Sequence, residues 1–191
     1  MTTPTNSAHQ VAYEGPATFV GPDRQHKSAG FRIIPGQTLP AGTRLRMLIG
    51  WFRSLMDNNP QREDQWRNFQ VRVEGGGEAR AVQQPPHSFH AFAKARTAVE
   101  RPGHFIVGLA EVTQPIPAGA HITLRCEALL SHQCPIDGQL VPQIGDPGQD
   151  TFHDLAEPVA LQGIPGETVG LEARLKSAPD ESGRFALCVH G

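Results

Sequence analysis

"LPAGTRLRML", residues 39–48, and "IPAGAHITLR", residues 116–125, repeat one phrase within a chain of 191 residues. In each copy a proline is followed two places on by a glycine, and alternating apolar residues come next. Proline presets φ and glycine closes tight turns, so both copies read as a turn of type I, with proline second, that delivers the chain into a strand. A period of two then sorts the side chains. After Gly42, Leu45, Met47, Ile49 and Trp51 share one face, and Arg44, Arg46, Leu48 and Gly50 share the other. After Gly119, Ile122, Leu124, Cys126, Ala128 and Leu130 point inward, with His121, Thr123, Arg125 and Glu127 outward. The two copies share no polar side chain able to recognise a ligand, so the repetition is expected to serve architecture.

The same alternation recurs outside the phrase. "NFQVRVEG" sets Phe69, Val71 and Val73 against Gln70, Arg72 and Glu74, and "TVGLEARL" sets Val169, Leu171, Ala173 and Leu175 against Glu172 and Arg174. "HFIVGLAEV" is apolar on both faces, as a central strand should be. Shorter strands are expected at "ATFVG", "FRIIPG", "EPVALQ" and "RFALCVH", and "EGGGEA" reads as a hairpin turn. "SFHAFAKARTAVERPG" has Ser88 in N-cap position and Pro102 and Gly103 behind it; helix and irregular strand both fit residues 88–100. "SHQCPIDGQLVPQIGDPGQD", residues 131–150, carries so much Pro, Gly and Asp that it is expected to be one long loop. The sum is an all-β chain, an antiparallel two-sheet β-sandwich with long loops and at most one short helix. Residues 1–27 are expected to form an N-terminal arm with the first strand, and 28–191 the sandwich, as a single domain.

A formal net charge of −2 gives no electrostatic footprint for nucleic acid or an anionic membrane. "MTTPTNSAHQVAYEGP" has neither the basic start nor the apolar run of a secretory signal, and no stretch has the length and apolarity of a spanning helix. Cys126, Cys134 and Cys188 are an odd set, which suits a reduced, cytoplasmic protein, with a Cys126–Cys134 bridge as the alternative. No nucleophile elbow and no phosphate-cradling loop is present, and no cofactor is expected.

Candidate sites are correspondingly few. Phe52 and Trp66 flank a polar loop with Arg53, Asp57 and Asn58, a set that would stack and hydrogen-bond a sugar or peptide. Around the 131–150 stretch, His132, Cys134, Asp146, Asp150, His153 and Asp154 mix soft and hard metal ligands, without a recognised ligand spacing. His87 and His90 have helical ligand spacing but no third ligand nearby. Solvated polar residues outweigh a metal centre in both places.

In order along the chain, "LPAGTRLRMLIGWFRSLMDNNPQ", "RPGHFIVGLAEVTQPIPAGAHITLRC", "GQDTF", "GIPGETVGLEARL" and "GRFALCVHG" resemble the N-terminal β region of large bacterial proteins of the domain of unknown function 3604 family, over most of residues 37–191. In that family a metal-dependent hydrolase-like domain of the polymerase-and-histidinol-phosphatase type follows the β region. No segment here matches its His-rich metal motif. The resemblance therefore implies a non-catalytic accessory module with a hydrolase-like partner domain, and homo-oligomer formation is a second expected association. A free-standing domain for carbohydrate or another polar ligand is the alternative reading, and a small metal-dependent hydrolase a distant third.

Overall fold

A computed structural model describes residues 9–16, 27–51, 65–85, 104–129, 138–161, 172–175 and 187–190. They form twelve strands: β1 (Gln10–Glu14), β2 (Lys27–Ile34), β3 (Arg44–Trp51), β4 (Gln65–Glu74), β5 (Glu78–Gln83), β6 (His104–Gln114), β7 (His121–Leu129), β8 (Gly138–Gly145), β9 (Phe152–Asp154), β10 (Val159–Leu161), β11 (Glu172–Leu175) and β12 (Leu187–His190). One sheet has the order β1-β2-β7-β4 and the other β10-β8-β3-β6-β5, with β9 also on β8 and β11-β12 as a separate pair. All the pairings are antiparallel. The chain is all-β, two sheets face to face, and no helix occurs among the described residues. The segments 17–21 and 88–100, read above as strand and as helix or strand, lie outside them.

The alternation in the repeated phrase places the core. Leu45, Met47 and Ile49 of β3 meet Ile122, Leu124 and Cys126 of β7 across the two sheets, joined by Phe31 and Ile33 of β2 and Val107 and Val112 of β6. Each large apolar side chain so buried contributes roughly 1.5–3 kcal/mol, which is why register is so strongly fixed: a slip of one residue would turn this set to solvent.

Each copy of the phrase is a crossing from one sheet to the other, β2 to β3 and β6 to β7. The crossings lie side by side, and their first residues pair: Leu39 N donates to Ile116 O at 2.8 Å and Ile116 N to Leu39 O at 2.9 Å. That pairing corrects the expected turn type. Residues before proline prefer extended backbone, and Leu39 and Ile116 are held extended by each other, so the turn starts at the proline itself. Thr43 N donates to Pro40 O and Ala120 N to Pro117 O, with glycine third at φ +88° (Gly42) and +82° (Gly119). Positive φ at the third residue is a type II turn, which glycine adopts without strain.

The pairing has a further regularity. The offset that carries Leu39 to Ile116 carries the pair Ile33↔Ile122 of β2 and β7 onto Ala110↔Leu45 of β6 and β3, and Phe31↔Leu124 onto Gly108↔Met47. On the flanks, Val73↔Ile122 of β4 and β7 matches Ile144↔Leu45 of β8 and β3. Strands β1–β4 and β5–β8 are thus two equivalent halves, related by a pseudo-two-fold through the Leu39–Ile116 bridge. Each half places its third strand in the other half's sheet, giving β1-β2-β7-β4 and β5-β6-β3-β8.

Two expectations fail for stated reasons. Residues 138–145 are a strand, not loop, although they contain Pro142. The Pro142 carbonyl accepts from Leu155 N on the side away from β3, so the missing N–H faces the β9–β10 side and costs no bond to β3. "EGGGEA" does turn the chain, through Gly75, Gly76 and Gly77 at positive φ, but it links β4 in one sheet to β5 in the other and is no paired hairpin.

Candidate functional site

The two outer faces differ. On the six-stranded sheet, Leu48 and Val141 are fully buried although they stand outside the core cluster, cross-strand neighbours on the side away from it. His104 is buried beside them; the absence of a side chain at Gly50 lets its ring lie there, since a Cβ would meet His104 Nε2 at 2.5 Å. That face is closed at its centre.

The margin of the same face carries a cluster of which the sequence singled out only Asp150 and Asp154. Arg44 and Arg46, two apart on β3, both stack on the Phe152 ring of β9, with guanidinium carbons 4.9 and 3.6 Å from its centroid. Arg46 Nε donates to Gln143 Oε1 at 2.8 Å, and Gln143 Nε2 donates to Asp154 Oδ1 at 2.6 Å. Such stacking is worth about 0.5–2 kcal/mol per pair and fastens β9 to the sheet. Arg44 keeps donors in hand: its Nε is buried without a hydrogen-bond partner among the described residues, and its Nη2 lies 3.9 Å from the wholly exposed Asp150. The equivalent places in the other half hold His121 and Thr123, so this cluster marks where the halves diverge.

The outer face of the four-stranded sheet is open and charged. Glu14 pairs with Arg32 at 3.2 Å and, across β2, with Arg125 at 3.5 Å. Gly30 lies between Glu14 and Arg125 in one cross-strand row, and a Cβ there would run into the Leu124 carbonyl, so glycine is what lets β2 and β7 approach so closely beneath the pair. Arg72 pairs with Glu74 at 2.7 Å, and Arg67 with Glu127 at 3.0 Å. Exposed pairs like these contribute roughly 0–1 kcal/mol each; what they fix is the direction in which four guanidiniums and three carboxylates are presented.

Beneath this face Cys126 is a free, buried thiol, not half of a bridge. Its Sγ donates to Arg67 O at 3.1 Å, and burial pushes its pKa up to about 12, which leaves it inert as a nucleophile. At the sheet's margin Tyr13 packs edge-on against Phe31, donates to Pro16 O at 2.8 Å, and is likewise raised by burial to about 12.

Of the sequence candidates, Phe52, Arg53, Asp57, Asn58, His87, His90, His132 and Cys134 lie outside the described residues, and Trp66 enters β4 opposite Ala128. Asp154 is engaged by Gln143 and Asp150 approaches Arg44, while His153, next to Asp154 in β9, belongs by alternation to the opposite face. Asp146 accepts from Gln149 N through its backbone. Among the described residues no three His, Cys, Asp or Glu side chains gather as a metal site, and no helix is long and apolar enough to cross a membrane.

No family model and no curated protein matches the chain. Among solved structures, the collagen-binding domain from a Staphylococcus aureus adhesin aligns with 80% of this chain and 91% of its own length, at 11% identity and a TM-score of 0.30, a likeness too loose to carry anything from that domain to this one.

Proposed function

We propose that this chain is a non-catalytic, cytoplasmic β-sandwich module that supports a hydrolase-like partner domain, with the outer face of the four-stranded sheet as the surface it offers. The observation that supports this reading is the contrast between the two outer faces. One is closed around Leu48, Val141 and His104, and the other presents Arg32, Arg72 and Arg125 in orientations set by Glu14 and Glu74. The rims of non-obligate interfaces are polar, and charges on them steer and register the approach.

The test is association with a hydrolase-like domain encoded beside this chain. Calorimetric titration should give saturable binding that weakens as salt rises, and the double substitution Arg32→Glu, Arg125→Glu should weaken it at least tenfold. Loss of neither salt dependence nor affinity in that variant sinks the assignment of the face. The rival reading, a carbohydrate-binding domain, predicts instead a saturable change of tryptophan fluorescence with oligosaccharides that Trp66→Ala abolishes. A metal-dependent turnover of phosphoesters by the chain alone would support the hydrolase reading.

A further inference from the structure

The pseudo-two-fold makes β4 and β8 equivalent strands, and the chain treats their outer edges differently. β8 is covered: β9 pairs with Gln143, Ile144 and Gly145, and β10 with Gly138, Gln139 and Leu140. On β4 the place equivalent to the β10 pairing is taken by one side chain. The Gln84 amide bonds both backbone groups of Phe69, accepting from its N–H at 2.8 Å and donating to its C=O at 2.8 Å, as a neighbouring strand would. The place equivalent to β9, opposite Arg72, Val73 and Glu74, has no strand on it among the described residues, since β4 pairs with β7 alone. Because Phe69 faces outward there and strand groups alternate, Val71 and Val73 also turn their N–H and C=O away from β7.

We infer that this open span of β4 is the interface between two copies of the chain, joined as an antiparallel β4–β4 pair centred on Val73. The span is self-complementary in that register. Val73 meets Val73 of the second copy and exchanges two backbone hydrogen bonds. Arg72 then stands directly opposite Glu74 of the second copy, and Glu74 opposite its Arg72, the opposite-charge arrangement that stabilises cross-strand neighbours. Both side chains are well exposed, at 78% and 59%, and the 2.7 Å ion pair they make within one chain would be exchanged for the same pair across the interface. Gly75, Gly76 and Gly77 follow, so no side chain obstructs the approach beyond Glu74. Val82, a large apolar side chain left 43% exposed, lies in β5 at the same edge of the sandwich. The result is one continuous sheet through both copies, closed by a two-fold axis, and an unpaired edge is thereby removed.

Sedimentation velocity over a concentration series tests this, with circular dichroism as the check on folding. The natural chain should show a reversible, concentration-dependent monomer–dimer equilibrium. Arg72→Glu puts a carboxylate opposite Glu74 of the second copy, and Glu74→Arg puts a guanidinium opposite Arg72, so each variant alone should dimerise at least about tenfold more weakly, a change of about 1.4 kcal/mol. Mixing the two variants restores opposite charges at both contacts, so a heterodimer should form with the natural affinity. A natural chain that stays monomeric at the highest concentration, a dimer indifferent to the single reversals, or a mixture that fails to associate overturns the inference.

Discussion

Gly108 shows how much one missing side chain can carry. Its counterpart in the other half is Phe31, a core residue, yet a Cβ on Gly108 would fall 2.0 Å from Cδ2 of Phe69. The left-handed φ of Asn68, +53°, sits in the bulge of β4 that brings Phe69 into that space. Gly108→Ala is therefore expected to cost about 2–3 kcal/mol by overpacking. Gly119→Ala, with nothing within 4 Å of the new atom, should cost only the backbone penalty of positive φ, about 1–2 kcal/mol. Urea unfolding midpoints rank the two, and a reversed order refutes the packing argument. His9 makes a pH-dependent contribution. Its Nδ1 accepts from Gly36 N–H at 3.2 Å, and burial lowers its pKa below the ordinary 6.5. The unfolded chain then takes up the proton first. Stability from this contact is complete above pH 6.5 and is lost as pH falls toward the lower folded pKa. Between pH 7.5 and 5 the natural chain should lose more stability than His9→Gln, and parallel losses would remove His9 from the account.

At the scale of strands, the sequence was most legible where alternation is strict. Leu45, Met47 and Ile49, or Ile122, Leu124 and Cys126, announce their burial because period two maps directly onto a face. It was least legible at β8, where Pro142 and the flanking glycines look like loop until it is known that the proline faces a strand edge. Nor does alternation say that Leu48, on the outward side of β3, is buried, because what covers an outer face is a matter of the whole chain. Arg44 and Arg46 read only as residues of the outward face of β3 for the same reason: their partner Phe152 lies on a distant strand. The Gln84 clamp on β4 is equally invisible in sequence. Gln84→Ala removes both side-chain bonds to Phe69 and leaves its backbone groups to water, so it should cost about 1–2 kcal/mol. An unchanged midpoint would show that the amide only decorates the edge.

The repeated phrase was read as architecture, and the whole molecule shows which architecture. The internal pseudo-two-fold was not legible beyond the phrase, because equivalent positions need fill space only jointly: Phe31 answers to Gly108, and Phe69 supplies the missing ring. The exchange of third strands has a thermodynamic consequence. β3 completes the sheet of the second half and β7 that of the first, so neither half buries its core without the other. The described sandwich should unfold in one cooperative step, and long-range pairing of this kind should make folding slow, in the millisecond-to-second range. Trp51 in β3 and Trp66 in β4 both belong to the first half, so tryptophan fluorescence is the signal to set against dichroism of the whole chain. Ile122→Ala, in the second half, should lower the stability read from tryptophan fluorescence by about 2–4 kcal/mol, equally with that read from far-ultraviolet circular dichroism. If the halves folded independently, the fluorescence midpoint would stay in place while the dichroism curve split in two, and strand exchange would have no energetic meaning.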